Sequence, residues 1–288
     1  MITQIFDDTA CGLGEGPLWH PLREELFWFD IVGKKLYCRV DGTTKSWDFP
    51  EHVSAAGWID EYTLLVASET ALLRFEIETG NSEIAHLLEA DNPVTRSNDG
   101  RADPWGGFWI GTMGKHAEKN AGAIYRYHRG ELRELYPNIT IPNAICFSPD
   151  KRYAYFADTV QSKIWRQTLD DKDGWPVGDP GIFLDFTNSD INPDGAVCDS
   201  EGYLWNAQWG SARFARYSPD GVLVSEIKFP TDHITCPSFG GSELKTLFAT
   251  SALQGLDSNS KKSQPHAGKT FVSTVEISGQ QEHQVLLV

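Results

Sequence analysis

The chain has 288 residues and carries 40 acidic against 25 basic side chains, which gives a net charge of −15 at pH 7. Such an acidic surface repels phosphate backbones and anionic lipids, so nucleic-acid and membrane binding are excluded as expected functions. The hydrophobic content of 40%, together with 26 Gly and 15 Pro, excludes a disordered chain and favours many strands joined by tight turns.

The N-terminal stretch MITQIFDDTACGLGEG has neither a basic n-region nor an apolar h-region. We therefore expect no signal peptide and a cytoplasmic protein. A monomer or a weak homo-oligomer is a separate expectation. The five cysteines contain no Cys-x-x-Cys pair, which suits a reducing compartment. We expect them to serve as small core residues.

Short apolar strands of one type recur six times along the chain, 38 to 50 residues apart. The interval matches a four-stranded propeller blade, whose period is about 40 to 50 residues. In chain order the strands are LFWFD from Leu26, LLVAS from Leu64, FWIGT from Phe108, AYFAD from Ala154, LWNAQ from Leu204 and LFATS from Leu247.

The sequence therefore predicts an all-β fold, a six-bladed β-propeller in which residues 1–288 form one domain. The last strand-like segment, KTFVSTVEI, is expected to pair with the N-terminal ITQIF and close the ring. A pair of smaller β domains is the alternative, although no Ser/Gly/Pro linker divides the chain. Residues 254–270 are expected to form a long polar loop, with the character of a flap.

One position, ten or eleven residues before each of these strands, is polar in five of the six repeats. The residues are Glu15, Ser54, Asn98, Asn143 and Asp194, with Pro237 at the sixth position. Equivalent positions of a propeller converge on one mouth of its central channel, where facing carboxylates and amides need a cation between them. Ligands that are all oxygen favour Ca²⁺, Mg²⁺ or Mn²⁺, and Fe²⁺ or Zn²⁺ less naturally. The alternative for any one of these residues alone is a turn former.

The segment INPDGAVCDSEGYLW contains two aspartates, and their distances from the recurring strand distinguish them. Asp199 lies in the turn that precedes the recurring strand, as Asp103 and Asp150 do in other repeats, so a structural role is expected. Asp194 keeps the phase of the channel positions, which favours a ligand. Trp209, just beyond LWNAQ, is a candidate wall for a sugar site.

Five motifs of the chain also resemble signatures of the gluconolactonase/regucalcin/luciferin-regenerating-enzyme (SMP-30-like) family. They occur in the family's order between about residues 11 and 270, and their wording is most similar to bacterial sugar-acid lactonases. The motifs are GLGEGPLWH, RSNDGRADPWGGFWIGTM, IPNAICFSPDKRYAYFADT, NPDGAVCDSEGYLW and CPSFGGSELKTLFATSA.

This resemblance implies a six-bladed propeller with one divalent metal ion in its channel. The ligands it implies are Glu15, Asn143 and Asp194, with Asp194 also acting as the general base. Arg96 and Asn98 would contact the substrate's hydroxyls and ring carbonyl. The implied activity is hydrolysis of a sugar lactone, such as an arabinono-, xylono-, galactono- or gluconolactone, to the sugar acid.

The chain departs from the family pattern at two places. Ala144 follows Asn143 where the family usually has glycine, and we expect a mild effect. His116 stands where regucalcin-like members have an acidic substrate contact, and it is retained as a candidate substrate-binding residue.

Two other functions remain open at this point. One is a phosphotriesterase or other esterase on the same scaffold, because a fold does not fix a substrate. The other is a calcium-binding regulatory protein without turnover. A serine hydrolase is disfavoured, since the chain has no Gly-x-Ser-x-Gly motif.

Overall fold

The structure is a computed structural model that describes residues 3–287, and this part of the chain contains 24 β-strands. In chain order they are β1 (Gln4–Asp7), β2 (Gly14–His20), β3 (Glu25–Asp30), β4 (Lys35–Val40), β5 (Thr43–Asp48), β6 (Val53–Asp60), β7 (Thr63–Ser68), β8 (Ala71–Glu76), β9 (Ser82–Leu87), β10 (Thr95–Ala102), β11 (Phe108–Gly114), β12 (Gly122–His128), β13 (Glu131–Ile139), β14 (Pro142–Phe147), β15 (Tyr153–Asp158), β16 (Lys163–Thr168), β17 (Gly181–Asp185), β18 (Asn192–Cys198), β19 (Leu204–Trp209), β20 (Arg213–Tyr217), β21 (Leu223–Lys228), β22 (Ile234–Gly240), β23 (Thr246–Ser251) and β24 (Thr270–Thr274).

These strands form six four-stranded antiparallel sheets, the blades of a propeller. Blades 1 to 5 are the consecutive quartets β2–β5, β6–β9, β10–β13, β14–β17 and β18–β21. Blade 6 combines β22–β24 with β1, and Gln4 lies opposite Val272 in this pairing. The predicted pairing of the two ends of the chain is confirmed, and it closes the ring without leaving an open blade.

The recurring apolar segments are the second strands of the blades, and both of their faces are buried. In β3 the side chains of Leu26 and Trp28 pack on blade 6, whereas Phe27 and Phe29 pack on blade 2. Each blade is sandwiched between two neighbours in this way, so its central strands are continuous apolar runs instead of alternating ones. This double burial is the reason that the repeat is visible in the sequence.

The first strand of each blade is innermost, because these six strands contact one another around the channel. Each has a β-bulge near its start, which kinks the strand and redirects its side chains. Aligned on their pairing with the second strands, the equivalent residues at this point are Glu15, Ser54, Asn98, Asn143, Asp194 and Thr235.

Five of the six positions predicted to be in phase are therefore structurally equivalent. The sixth, Pro237, was wrong, because Thr235 occupies that level of blade 6. The segment from Thr235 to Leu247, in β23, is one or two residues longer than the equivalent segment of the other blades. A count of ten residues back from Leu247 therefore stops at Pro237, before it reaches Thr235. Thr235 turns its hydroxyl to the carbonyl of Gly14, at 2.6 Å.

Residues 254–270 carry a short helix, α1 (Ser258–Ser263), where the sequence predicts only a loop. Asp257 caps it, since its carboxylate accepts hydrogen bonds from the backbone N–H groups of Asn259 and Ser260. Gln264 then accepts a hydrogen bond from the Thr231 hydroxyl at 2.9 Å, which fastens this segment to the loop between blades 5 and 6. Within residues 3–287, no helix has the length and apolar character that crossing a membrane requires.

Two ends of the channel can be distinguished by strand direction. The innermost strands begin at the end that holds Glu15 and Asp194, the upper mouth, and finish at the lower mouth. Residues 279–287, here called the C-terminal tail, lie across the lower mouth. Gln280 donates hydrogen bonds to the carbonyls of Phe147 and Cys198, at 3.0 and 3.1 Å, and so joins blades 4 and 5.

Candidate active site

A cavity of about 360 Å³ opens at the upper mouth, where the starts of the innermost strands converge. All five sequence-predicted ligand and hydroxyl-binding residues line it, namely Glu15, Arg96, Asn98, Asn143 and Asp194. Each of the five is nearly buried, with 4% to 6% of its surface exposed. Their side chains therefore meet in a water-poor environment, in which charge interactions are strong.

Two buried aspartates position the chain just before the candidate ligands. Asp30, at the end of β3, accepts hydrogen bonds from the backbone N–H groups of Gly12 and Leu13, at 2.9 and 3.0 Å. Asp158, at the equivalent end of β15, does the same for Thr140 and Ile141. The segments that enter β2 and β14 are thus fixed before Glu15 and Asn143. Asp30 and Asp158 are the last residues of the recurring segments LFWFD and AYFAD. Their recurrence in the sequence is the signal for this role.

A chain of hydrogen bonds links blades 3, 4 and 5 around the cavity. The Arg96 guanidinium donates to Asn98 Oδ1 at 2.9 Å, and Asn98 Nδ2 donates to Asn143 Oδ1 at 3.0 Å. Asn143 Nδ2 donates to the Thr159 hydroxyl at 2.8 Å, which in turn donates to the carbonyl of Pro193 at 2.7 Å. Pro193 directly precedes Asp194, so the chain runs from the candidate substrate contact to the candidate base.

The carboxylates of the channel have pKa values well above those of exposed acids. Burial, and then the charge of Asp99, raises the pKa of Glu15 to about 8. Burial, followed by the charges of Glu15 and Asp99, raises the pKa of Asp194 well above its ordinary value. Burial lowers the pKa of Arg96 to about 10, so its guanidinium stays charged at neutral pH. The charge of Arg96 partly offsets the cost of ionising Glu15.

This donor set fits a divalent cation. The charge of Glu15 raises the cost of ionising Asp194, and a positive ion between the two carboxylates would remove that cost. Asn143 adds a neutral oxygen whose orientation is set by its hydrogen bonds. No group of three or more His, Cys, Asp and Glu side chains is arranged for a metal ion within residues 3–287. A metal at this mouth would consequently need the amide oxygen beside the two carboxylates.

The cavity walls above this floor are largely apolar. Trp209 lines the cavity, as its place beyond LWNAQ suggests, and stacks on His233 with ring centroids 4.0 Å apart. His233 is held by a hydrogen bond between Nδ1 and the carbonyl of Gln254, at 2.8 Å. The other apolar wall residues are Leu13, Met113, Ile141 and Val160. Residue pattern alone gave no sign of these four, because each stands outside the repeated strand motifs.

His116 lies outside the cavity wall. It is exposed on the loop between β11 and β12, where its backbone N–H donates to the Glu118 carboxylate at 3.0 Å. The polar residues that line the cavity and that the sequence did not indicate are Thr159, Asn192 and Gln254. Thr159 directly follows Asp158 in the AYFADT motif. Its place just after the second strand of blade 4 is the sequence feature that could have indicated a residue at the cavity.

A six-bladed propeller with an acidic, oxygen-rich site at one mouth of its channel is the class that the fold and the cavity define. Residues 13–253 match the family described as SMP-30/Gluconolactonase/LRE-like region. The chain therefore belongs to this family, as the five sequence motifs indicate.

Individual relatives extend over almost the whole chain. L-arabinolactonase of Azospirillum brasilense is 36% identical over 282 residues, which cover 96% of this chain and 92% of that protein. 6-deoxy-6-sulfogluconolactonase of Pseudomonas putida is 33% identical over 278 residues and covers 93% and 92%. A crystal structure of a calcium-binding protein, regucalcin, from Agrobacterium tumefaciens has a TM-score of 0.97 and 38% identity, with 99% and 98% coverage.

Proposed function

We propose that the protein hydrolyses a sugar lactone to the sugar acid and that it depends on a divalent metal ion. The observation that carries this proposal is the convergence of Glu15, Asn143 and Asp194 with Arg96 and Asn98 in one cavity. Two relatives that match over more than nine-tenths of the chain are named as lactonases of sugar acids. Arabinono-, xylono-, galactono- and gluconolactones are the proposed substrate class.

Glu15, Asn143 and Asp194 are the residues proposed to hold the metal. A divalent ion supplies Lewis-acid polarisation of the lactone carbonyl and stabilises the charge that develops on its oxygen. Ca²⁺, Zn²⁺, Mn²⁺, Mg²⁺ and Fe²⁺ are all compatible with two carboxylates and an amide oxygen.

Asp194 is proposed to accept a proton from the attacking water. Its carboxylate lines the cavity, and a carboxylate that used one oxygen to hold a metal ion would keep its second oxygen free to reach a nearby water. The protein thus places a base within a water-poor cavity that a lactone can enter.

Arg96 and Asn98 are proposed to orient the substrate. One guanidinium nitrogen of Arg96 is held by the carbonyl of Ser97, at 2.7 Å, and by Asn98 Oδ1, which fixes the plane of the group at the cavity wall. A fixed, charged fork suits vicinal hydroxyls and a developing negative charge. His116 stays a candidate contact only if a larger substrate reaches its loop.

A second candidate function is calcium binding without turnover, and the 38% identical structure described as a calcium-binding protein favours it. The apolar walls formed by Leu13, Met113, Ile141 and Val160 favour a third, hydrolysis of a less polar ester or a phosphotriester.

We further propose that the protein is cytoplasmic and acts as a monomer or a weak homo-oligomer without nucleic-acid or membrane partners. The net charge of −15 supports the part of this proposal that concerns nucleic acids and membranes.

The proposal is tested with a lactone panel after chelation and re-addition of single metals. We expect no hydrolysis above the spontaneous rate in the chelated protein and recovery with one or more divalent ions. Hydrolysis that is unaffected by chelation would contradict metal dependence. Calcium binding without turnover of any lactone would support the regulatory alternative, and faster turnover of paraoxon than of every lactone would support the esterase alternative.

A further inference from the structure

Thr159 is held beside the candidate metal ligands by both backbone and side chain. It begins a 3-10 turn, Thr159–Gln161, directly after β15. Its backbone N–H donates to the carbonyl of Ile141 at 3.0 Å, and its side chain forms part of the cavity wall. The hydroxyl lies between Asn143 of blade 4 and Pro193 of blade 5.

The direction of each hydrogen bond at Thr159 is determined by chemistry. The carbonyl of Pro193 can only accept, so the single hydroxyl proton of Thr159 is committed to it at 2.7 Å. The hydroxyl oxygen can then only accept from Asn143, and it does so from Nδ2 at 2.8 Å. The amino end of the Asn143 amide must therefore face Thr159.

The opposite end of the same amide is fixed independently. Asn98 Nδ2 donates to Asn143 Oδ1 at 3.0 Å and to the carbonyl of Pro142 at 2.9 Å, and this second acceptor prevents the Asn98 amide from turning over. The carbonyl oxygen of Asn143 keeps a second lone pair, and its side chain shares the cavity with Glu15 and Asp194.

We propose that Thr159 is a positioning residue, whose hydroxyl holds Asn143 with its carbonyl oxygen presented to a divalent cation. The inference rests on the proposed metal site. Because the same hydroxyl is bonded to Pro193, it also ties the strand that carries Asn143 to the strand that carries Asp194. Hydrogen-bond partners of metal ligands typically contribute a factor of about 10 to 100 in metal affinity.

The first test measures binding of Ca²⁺ and of Mn²⁺ by calorimetry to the full-length protein and three variants. Thr159→Val removes the hydroxyl at nearly constant shape, and we expect it to weaken binding by roughly 10-fold to 100-fold. Thr159→Ser keeps the hydroxyl and should restore affinity. Thr112→Val is the matched control, because the Thr112 hydroxyl also donates and accepts, to Glu89 and from the Ala123 N–H, but away from the cavity wall.

Three outcomes would overturn the inference while leaving the proposed function intact. They are unchanged affinity in Thr159→Val, a Thr159→Ser variant as weak as Thr159→Val, and equal losses in Thr112→Val. A raised KM with unchanged metal affinity would make Thr159 a substrate contact instead, which also overturns it.

The second test uses the metal-free protein, so it decides the matter even if the wild-type protein binds neither ion and the metal-dependent function fails. The side-chain amide resonances of Asn143 are assigned by their loss in Asn143→Asp. We expect slow hydrogen exchange of these amide protons in wild type and Thr159→Ser, and faster exchange in Thr159→Val. Identical exchange in all three would contradict the proposed positioning.

Discussion

The two mouths of the channel are built by the same six strands but treat charge in opposite ways. At the upper mouth Glu15 and Asp194 are buried together, and both have raised pKa values, that of Asp194 in part through the charge of Glu15. At the lower mouth the largely buried Arg101 forms an ion pair with Glu282 of the C-terminal tail. The upper mouth is open and short of positive charge, whereas the lower mouth is covered and its charges are paired.

This difference separates the parts of each strand that stabilise the fold from the parts available for chemistry. Buried charges without partners are costly, so a folded protein retains them where a ligand compensates the cost. Strand β18 shows both cases over a few residues. Asp194 lies near its start with a raised pKa, and Asp199, just past its end, is fully buried among donors. Asp199 accepts hydrogen bonds from Trp205 Nε1 and from Arg216 Nε, at 2.9 and 2.8 Å.

The largest expected effect is the loss of activity in Asp194→Asn. Removing a general base costs about 10²-fold to 10⁴-fold, and loss of a metal ligand adds to that. The metal-free variant should nevertheless be at least as stable as wild type, since a repelling buried carboxylate has been removed beside Glu15. Turnover of the preferred lactone and the thermal midpoint of the metal-free protein measure the two effects.

The matched control is Asp199→Asn, an identical change five residues away. It leaves Arg216 without the buried carboxylate that lies 2.7 Å from its guanidinium and with only the exposed Glu201 as an ion-pair partner, at 2.9 Å. Leaving buried donors without their acceptor costs about 1–3 kcal/mol. We expect a strongly lowered thermal midpoint and near-normal turnover per folded molecule. A stable but inactive Asp199→Asn, together with an active Asp194→Asn, would reverse the assignment of the two aspartates.

The next effect in size is the destabilisation caused by Glu282→Gln at the lower mouth. The change removes the ion-pair partner of Arg101, which has only about a tenth of its side chain exposed and keeps only the weaker attraction of Asp99. It should cost up to about 3–5 kcal/mol of unfolding free energy. The Trp58 indole also donates to the backbone carbonyl of residue 282 at 2.8 Å, and this bond should persist. Urea unfolding measures the loss. A change in KM for the lactone would show instead that the two mouths are coupled.

The sequence was sufficient to predict those features of the two mouths that recur from blade to blade. Double burial of the second strands makes a period that predicts the blades and places Asn98, Asn143 and Asp194 at one level of the channel. Asp199 could be assigned to a turn because Asp103 and Asp150 occupy similar turns. The hydrogen bonds that its carboxylate accepts from the backbone N–H groups of Glu201 and Tyr203 agree with that assignment.

Features that occur once in the chain were not predictable in this way. The C-terminal tail has no repeated pattern, so its course across the lower mouth and its pairing with Arg101 follow only from tertiary packing. The extra length in blade 6 moves the equivalent position from Pro237 to Thr235, and a count of residues has no means of detecting a local insertion. The Thr159 hydroxyl bonds across two blades, a contact between segments that lie 34 residues apart in the chain.

A smaller effect is the pH dependence that Glu15 gives to the stability of the metal-free protein. In the folded state Glu15 stays protonated up to a pKa of about 8, whereas an unfolded glutamate releases its proton near pH 4.5. The folded state therefore binds more protons between these values, and its stability falls as the pH rises through this window. The limiting slope for one group is about 1.4 kcal/mol per pH unit.

The effect is measured as the difference in unfolding free energy between wild type and Glu15→Gln from pH 5 to pH 8. Taking this difference cancels the opposite contribution of residues such as His20 and His233, whose pKa values are lowered by burial. We expect the difference to move against wild type as the pH rises, and a saturating divalent ion to abolish the trend. A flat difference in the metal-free proteins would show that Glu15 is not protonated in the folded state.

The smallest expected effect is that of Ala144→Gly on the unfolding free energy, and it concerns the backbone beside the candidate ligands of blades 1 and 4. Gly16 and Ala144 both follow a ligand, and both have left-handed backbones with φ of 53° and 58°. A Cβ at Gly16 would lie 2.2 Å from the carbonyl oxygen of Ser54, so only glycine fits there, whereas Ala144 is accommodated with its methyl group fully buried.

Ala144→Gly relieves a strain of about 1–2 kcal/mol but loses about 1 kcal/mol of burial and backbone rigidity. We therefore expect a change in unfolding free energy within about 1 kcal/mol of zero and unaltered turnover. A large loss of activity would mean that the Ala144 methyl group, and not the backbone alone, sets the orientation of Asn143.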